Sequence, residues 1–551
     1  MTPTEPAGAA AASAAVSAGV VRSAGIMSAA LMLSRVAGLV RETIITQTFG
    51  ATAQTDAYNL GFRLPNLTRD LFAEGALSSA FVPTFTEYLT GKGREEAARL
   101  VNLVGTGLIL FVGALCAIGV LVAPWLVEAF GSGFHQVPGK YELAVHLTRI
   151  MFPFLLLVAL AAQAMGVLNA CNQFAVPAFA SFFFNVASVS TGLFLGFVAG
   201  PAIGLSPIEG MAWGVVAGGA VQLLWQVPSL RAQGFSFRLA WDPSHPGLRH
   251  IARLMGPAIL GSSAVQVNVL VNSHFASYIV DPVRGANGPV TWLGCAFRFM
   301  QLPLGLFGVA VASATLPAIS RSLTTGNIDE FRRTLSRSLG VVFLLTLPSS
   351  IGLTVLSREV IAATYQGGAF TGYDTRQTAS ALMCYTVGLA GYAALKVLNP
   401  AFYALKDSRT PMLVSLSSIV VNFAAAKLLL GYTSLGHAGL ALTTSIVTLS
   451  SFLIQFAILR ERIGGVYGRD LRSSVIRVTA ASLAMGAVVT ICSLGFQTWL
   501  GDGKWAAIAS LPASVVLGMA VFFWLCRVLN VPELETAISA LPRPLRRLVA
   551  R

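Results

Sequence analysis

The feature that most restricts this chain is a succession of apolar stretches, each long enough to cross a bilayer. A spanning helix needs about 20 apolar residues, and the 551-residue chain offers fourteen such runs with no long soluble segment between them. Six lie near 24–49, 53–90, 98–129, 141–170, 175–199 and 208–230. Six more lie near 249–280, 288–320, 331–357, 376–405, 411–432 and 437–460, and two follow near 474–500 and 504–529. Only 11% of residues are charged, against roughly 25% in soluble domains, and the mean hydropathy is +0.71. Within lipid every backbone polar group must be satisfied internally, so only helices and closed barrels span. Ten-residue alternating segments, the mark of a barrel, are not evident. The expectation is an all-α membrane protein with fourteen transmembrane helices.

Charge placement orders the loops. One alternate set carries Lys92, Arg94 and Arg99, then Arg231, Arg238, Arg249 and Arg253, then Arg321, Arg332, Arg333 and Arg337. Lys406, Arg409, Arg460, Arg462, Arg469, Arg472 and Arg477 complete it, while the opposite loops hold only Lys140, Arg284, Arg358, Arg376 and Lys504. The positive-inside rule places the rich set and both termini in the cytoplasm. Much of the +14 net charge is therefore topological, with anionic lipid headgroups as a second target. With no soluble basic domain, nucleic acid is not an expected partner. Six scattered cysteines show no CxxC spacing, and six histidines form no HExxH motif, so no metal site or cofactor is expected.

Echoes about 230–235 residues apart point to a duplication. Phe62-Arg63, Leu71-Phe72 and Val82-Pro83 return as Phe297-Arg298, Leu306-Phe307 and Leu316-Pro317, and Val167-Leu168-Asn169 as Val397-Leu398-Asn399. Two pseudo-symmetric six-helix lobes plus two C-terminal helices follow. The expected divisions are a disordered tail (1–22), an N-lobe (23–230), a cytoplasmic linker (231–248) and a C-lobe (249–462). Two further helices (463–530) and a basic tail (531–551) complete the chain.

Arginines stand where lipid should forbid them. Arg35 is near the middle of its stretch, Arg41 follows, Arg63 and Arg69 lie in the next, and Arg298 lies inside another. An arginine at the bilayer centre costs about 2.5–3.5 kcal/mol on insertion scales, so these side chains should turn toward a polar cavity, which would attract an anion. Nearer a helix end, arginine can also reach the interface by snorkelling, and this second reading stands for Arg41, Arg63 and Arg69. Lys396 and Lys427 read as snorkelling residues. Glu74 reads as an arginine's counter-charge and Asp56 alternatively as a helix cap. No nucleophile–base constellation or P-loop is present, so neither catalysis nor direct ATP drive is indicated.

Ser34-Arg35-Val36-Ala37-Gly38 with Arg41-Glu42 resembles the first helix of the MurJ (MviN) lipid II flippases. Phe49-Gly50-Ala51, Thr55-Asp56-Ala57, Leu64-Pro65-Asn66-Leu67, Arg69 and Phe72-Ala73-Glu74-Gly75-Ala76 continue the likeness. So do Leu168-Asn169, Phe174 to Pro177, Asn185, Arg298 and Pro303 to Val309. The resemblance implies the fold of the MOP exporter superfamily, two lobes around a central cavity with the helices of 463–530 shaping a lipid-facing groove, and lipid II as substrate. It implies Arg35, Arg41, Arg69, Arg298 and Asp56 as substrate-binding residues, with Arg63 and Glu74 as further candidates. Where many relatives carry Asp before the arginine matched by Arg298, this chain has Phe297. Where some carry sodium-site acids, it has Asn272 and Asn422, which argues against sodium coupling. The implied protein is a monomer of the bacterial inner membrane, with lipid II, membrane lipids and cell-wall synthesis enzymes as partners. The alternatives are a flippase for another undecaprenyl-diphosphate-linked glycan, a multidrug exporter of the same superfamily, and a non-transporting scaffold.

Overall fold

The computed structural model describes residues 29–69, 77–465, 468–501 and 503–539. Its first helix, α1, covers 29–49. Then come α2 (Ala53–Arg69), α3 (Ser78–Gly91), α4 (Arg94–Gly131), α5 (Lys140–Met151), α6 (Phe154–Ala170), α7 (Ala175–Leu193), α8 (Gly200–Ile203), α9 (Pro207–Leu224), α10 (Val227–Ala232) and α11 (Pro246–Ser277). They are followed by α12 (Pro289–Pro303), α13 (Val309–Thr324), α14 (Ile328–Val355), α15 (Ser357–Tyr365), α16 (Gly372–Thr386), α17 (Leu389–Ala404) and α18 (Arg409–Tyr432). The last are α19 (Gly436–Arg462), α20 (Gly468–Leu500), α21 (Lys504–Val528) and α22 (Glu533–Ser539). Among the described residues the only β pairing is two isolated bridges, Asp281 with Gly285 and Gly367 with Phe370.

Among the described residues ten continuous helical segments, α5–α6, α7–α8, α9–α10 and α12–α13 each counting as one, are long and apolar enough to span a membrane, or eleven if α16 and α17, bent by 43° at their junction, form one span. The other three expected segments, near 24–49, 53–90 and 249–280, are not in that count, which covers the described residues alone. Helix α1 carries Arg35, Arg41 and Glu42 within 21 residues. Helix α2 has 17 residues, and 70–76 lie outside the described residues. Helix α11 carries Gln266, Asn268, Asn272 and His274 in its C-terminal half.

The chain divides into two compact units, one of 1–45 with 53–266 and one of 46–52 with 267–551. In the first, a core joins α3, α4 and α6: Leu77, Phe81 and Phe85 meet Leu100, Val104 and Leu108 and the buried Leu155 and Ala159. The four-residue steps put each set on one helix face. The α7–α9 contact is built differently, from small residues. A Cβ on Gly210 would lie 2.3 Å from the Gly196 nitrogen, one on Gly214 2.3 Å from the Ser188 carbonyl oxygen, and one on Gly218 2.8 Å from that of Phe184. Small residues every fourth position let membrane helices approach backbone to backbone. The run Ala217 to Ala220 thus serves close packing inside one unit, with Gly219 against the Phe154 ring.

In the second unit α14, α20 and α21 pack in succession, and α19 lies against α16, α17 and α18. The end of α1 belongs here. The Gln47 carbonyl accepts from the Ala369 amide at 2.8 Å, and its side-chain amide donates to the carbonyls of Thr364 and Gln366 at 3.5 Å. Gly50 (φ +67°) and Gly368 (φ +55°) occupy the left-handed region, and Cβ atoms there would sit 2.6 Å from the Ala369 oxygen and 2.2 Å from the Gln47 oxygen. Glycine is required at both on two counts, which explains Gly50 within Phe49-Gly50-Ala51.

Candidate functional site

In the first unit, α1 and α2 bring several of the expected residues close together. Arg35 is exposed on α1. Arg41, six residues on, points about 120° away around the helix and is buried, its guanidinium 5.3 Å from the Phe62 ring on α2 and 5.3 Å from the Phe184 ring on α7. Desolvated arginine over aromatic faces gains cation–π attraction, so Arg41 is held by the bundle, whereas Arg35 is accessible. A recess of about 460 Å³ opens between α1 and α7, lined mostly by apolar side chains such as Leu33, Val36 and Val40 together with Arg41, Asn185 and Ser190 and not by Arg35. The Asn185 amide donates to the Ser34 carbonyl at 3.4 Å and lies in ordinary contact range of Gly38. Three residues that looked like family motifs therefore meet at one helix crossing.

Asp56, in the first turn of α2, is fully buried and accepts from the Lys140 ammonium at 2.9 Å; both side chains are 1% exposed. The ammonium also stands 4.4 Å from the Phe134 ring. The acid is a closed ion pair, and its partner was read from sequence as a loop cation. Only proximity across 84 residues reveals the pair, and nothing local signals it. Arg63 and Arg69 are half-buried further along α2. Glu74 lies outside the described residues.

In the second unit Arg298 is half-buried on α12, one turn before Pro303 and a wide π-turn over Leu304–Gly308. Such turns shift the register of the side chains around them and recur at functional positions. Phe297 packs edge-on to Tyr385 at 5.3 Å, so the position where the resemblance led an acid to be expected is here an aromatic contact.

Asn272 and Asn422 do come together. The Asn422 amide donates to Asn272 Oδ1 at 3.1 Å and to the Asn268 carbonyl at 3.3 Å, and the Asn272 amide donates to Thr444 Oγ1 at 2.9 Å. Asn268 extends the network to Ser418 Oγ at 2.8 Å. This neutral network ties α11, α18 and α19 together. Asn268 and Ser418 were missed from sequence, although Asn268 and Asn272, one turn apart on an apolar helix, mark one polar face. A larger cluster was also missed. Buried Asp374 accepts from Arg284, from the Trp292 indole at 3.2 Å and from the Thr371 amide at 2.9 Å, and Tyr373 donates to Asp281 at 2.8 Å. It fastens the α11–α12 connection to α16. Among the described residues no group of three or more His, Cys, Asp or Glu could hold a metal ion.

The family model described as "Lipid II flippase MurJ" matches residues 45–508. The chain belongs to the MurJ family. A MurJ relative from Burkholderia cenocepacia, named "Lipid II flippase MurJ", is 34% identical over 512 residues, covering 91% of this chain and 95% of its own. One from Vibrio cholerae, "Probable lipid II flippase MurJ", is 33% identical over 528 residues, covering 94% and 97%. A solved MurJ structure in an inward closed conformation superposes with a TM-score of 0.73 at 26% identity, covering 91% of this chain and 98% of that one. A multidrug resistance MATE transporter of the MOP superfamily superposes at 0.60 with 15% identity, covering 80% and 94%; that likeness concerns the fold alone. The MurJ family is one of transporters, so translocation rather than bond chemistry is the work indicated.

Proposed function

We propose that this protein is a lipid II flippase of the bacterial inner membrane, moving the undecaprenyl-diphosphate-linked peptidoglycan precursor from the cytoplasmic to the outer leaflet by alternating access. The MurJ family match, spanning most of the chain, carries the reading. Arginines on α1, α2 and α12, helices otherwise poor in charge, supply the chemistry. A diphosphate presents clustered anionic oxygens, and the planar guanidinium holds two at once without ever losing its charge. Accessible Arg35 is the leading ligand, with Arg69 and Arg298 contributing from α2 and α12. Buried Arg41 fixes the α1–α2–α7 crossing on which Arg35 is mounted, and the Asp56–Lys140 pair fixes the start of α2.

In the full reading the chain has fourteen spans, two six-helix lobes and two C-terminal helices, both termini cytoplasmic, and it works as a monomer. The polyprenyl tail stays in the bilayer while the headgroup crosses. A multidrug exporter favouring cations would call for an acidic cavity, which deep arginines oppose. The deciding experiment is complementation of a strain depleted of its own lipid II flippase. Growth and normal shape are expected; lysis despite normal abundance of the protein in the membrane would reject the function.

A further inference from the structure

The segment joining α10 to α11 is an exposed apolar strap on a membrane helix. Phe235 is buried in the α3–α4 core, whereas Phe237, Leu239 and Trp241 are 54%, 78% and 64% exposed. The large apolar side chains thus recur at every second residue of an extended stretch, the period that puts them on one side. The backbone is pinned to α4. The Arg238 amide donates to Asn102 Oδ1 at 3.0 Å and the Ala240 amide to Thr106 Oγ1 at 3.1 Å, one helical turn further along. The Phe237 ring lies over Gly105, where a Cβ would be 2.9 Å from it. The strap then turns back, and Asp242 meets Arg99 at 3.2 Å. The Ser244 hydroxyl, then its amide and Arg99, hold the Asp242 carboxyl below the usual carboxylate range, which keeps this return tether ionised.

Helix α4 fixes the depth of the turn. Residues 100–127 carry no charge, about 42 Å of helix at 1.5 Å per residue, against a hydrocarbon core of about 30 Å. Centring the core on that run puts its edge near residues 103–104, so Thr106, and the strap's turn beside it, reach the boundary between headgroups and acyl chains. Around the strap Arg231, Arg238, Arg249 and Arg253 are all exposed. Tryptophan, phenylalanine and leucine beside arginine is the composition that seats in an anionic interface.

We infer that residues 237–241 form an interfacial wedge, inserting Leu239 and Trp241 into the anionic leaflet while the flanking arginines bind lipid phosphates. This rests on the membrane-spanning reading of α4 and not on the identity of the substrate. Anchored on both sides, the connection between α10 and α11 is held at the membrane surface and does not swing through water.

The test places an environment-sensitive fluorophore on Leu239→Cys in the full chain, reconstituted in vesicles of phosphatidylcholine and phosphatidylglycerol. Gly91→Cys, at the open C-terminal end of α3, is the aqueous reference, and the unsubstituted chain gives the background from native cysteines. The Leu239 label should be quenched by lipids carrying a nitroxide high on the acyl chain and protected from iodide, with the reverse at Gly91. Omitting phosphatidylglycerol should weaken nitroxide quenching about twofold. Iodide quenching equal to that at Gly91 overturns the proposal, as does shielding from both quenchers, which would mean that protein covers the strap. Equal nitroxide quenching without phosphatidylglycerol overturns the anionic preference. Should Leu239→Cys fail to fold, the emission lost in Trp241→Phe reports the same depth: a blue, nitroxide-quenched component supports insertion and a red, iodide-quenched one rejects it.

Discussion

At the scale of single residues, Arg35 and Arg41 separate accessibility from charge. If Arg35 grips diphosphate, Arg35→Ala should abolish complementation while the protein still accumulates in the membrane, and Arg35→Lys should keep only part of the activity, since lysine lacks the planar fork. Immunoblots of membrane fractions beside growth curves check both. A fully active Ala variant at normal abundance would remove the anion-binding mechanism. For Asp56 the expectation is different. Removing one partner of a buried pair leaves an uncompensated charge, at a cost of about 3–5 kcal/mol. Asp56→Asn should therefore lower the thermal unfolding temperature measured in detergent, and the double variant Asp56→Asn with Lys140→Met should recover much of the loss. If the two single losses simply add in the double variant, the pair is not the reason for the burial. Arg35 was legible in the sequence because a charge in an apolar run is conspicuous. The partner of Asp56 was not, because Lys140 sits at a helix start where a solvated loop cation looks the same.

Individual helices and their crossings were legible in proportion to their hydropathy. Uninterrupted apolar runs such as α4, α20 and α21 could be placed from composition alone. Helices α1, α2 and α11 were found as runs too, although polar residues interrupt each of them. The bend between α16 and α17 had no clear signal at Val387-Gly388, where the Gly388 amide is shared between the Tyr385 carbonyl at 3.2 Å and Ser445 Oγ at 3.0 Å while the Ser445 hydroxyl donates to the Cys384 carbonyl at 2.6 Å. The α7–α9 crossing was half legible. Four consecutive small residues, Ala217 to Ala220, stand out in the sequence, whereas the contact uses Gly210, Gly214 and Gly218, one per turn. Gly214→Leu should disrupt it, since even the first added carbon meets the Ser188 carbonyl oxygen at 2.3 Å. Gly107→Leu on α4, where a Cβ meets nothing within 4 Å, should be close to neutral. Thermal unfolding of the two variants in the same detergent makes the comparison, and equal stability would mean that α7 and α9 part without cost.

For the whole molecule the open question is what drives an outward step, and the network around Asn272 bears on it. A sodium ion is held best by several oxygens with carboxylate among them, because the anionic charge offsets the loss of hydration; amide, hydroxyl and carbonyl oxygens bind hard cations too, but with less charge to oppose dehydration. Here the side-chain amides of Asn268, Asn272 and Asn422 donate to Ser418, Thr444 and Asn272, and the Oδ1 atoms of Asn268 and Asn422 are buried without a partner, so a cation would find neutral oxygens there but no carboxylate to offset its dehydration. An anionic headgroup leaving the cytoplasm also moves down an inside-negative potential, worth about 2.3 kcal/mol per elementary charge per 100 mV, so an outward step does not require an ion gradient. Translocation of a lipid-linked diphosphate headgroup in reconstituted vesicles should therefore run at the same rate when sodium is replaced by potassium on both sides at constant potential. The conservative variant Asn422→Gln, which disturbs the network while leaving it neutral, should change stability without creating any dependence on sodium. Strict dependence of the unsubstituted protein on sodium would show that neutral oxygens suffice to couple the two halves of the cycle to an ion, and the amide network would then have to be read as the coupling site itself.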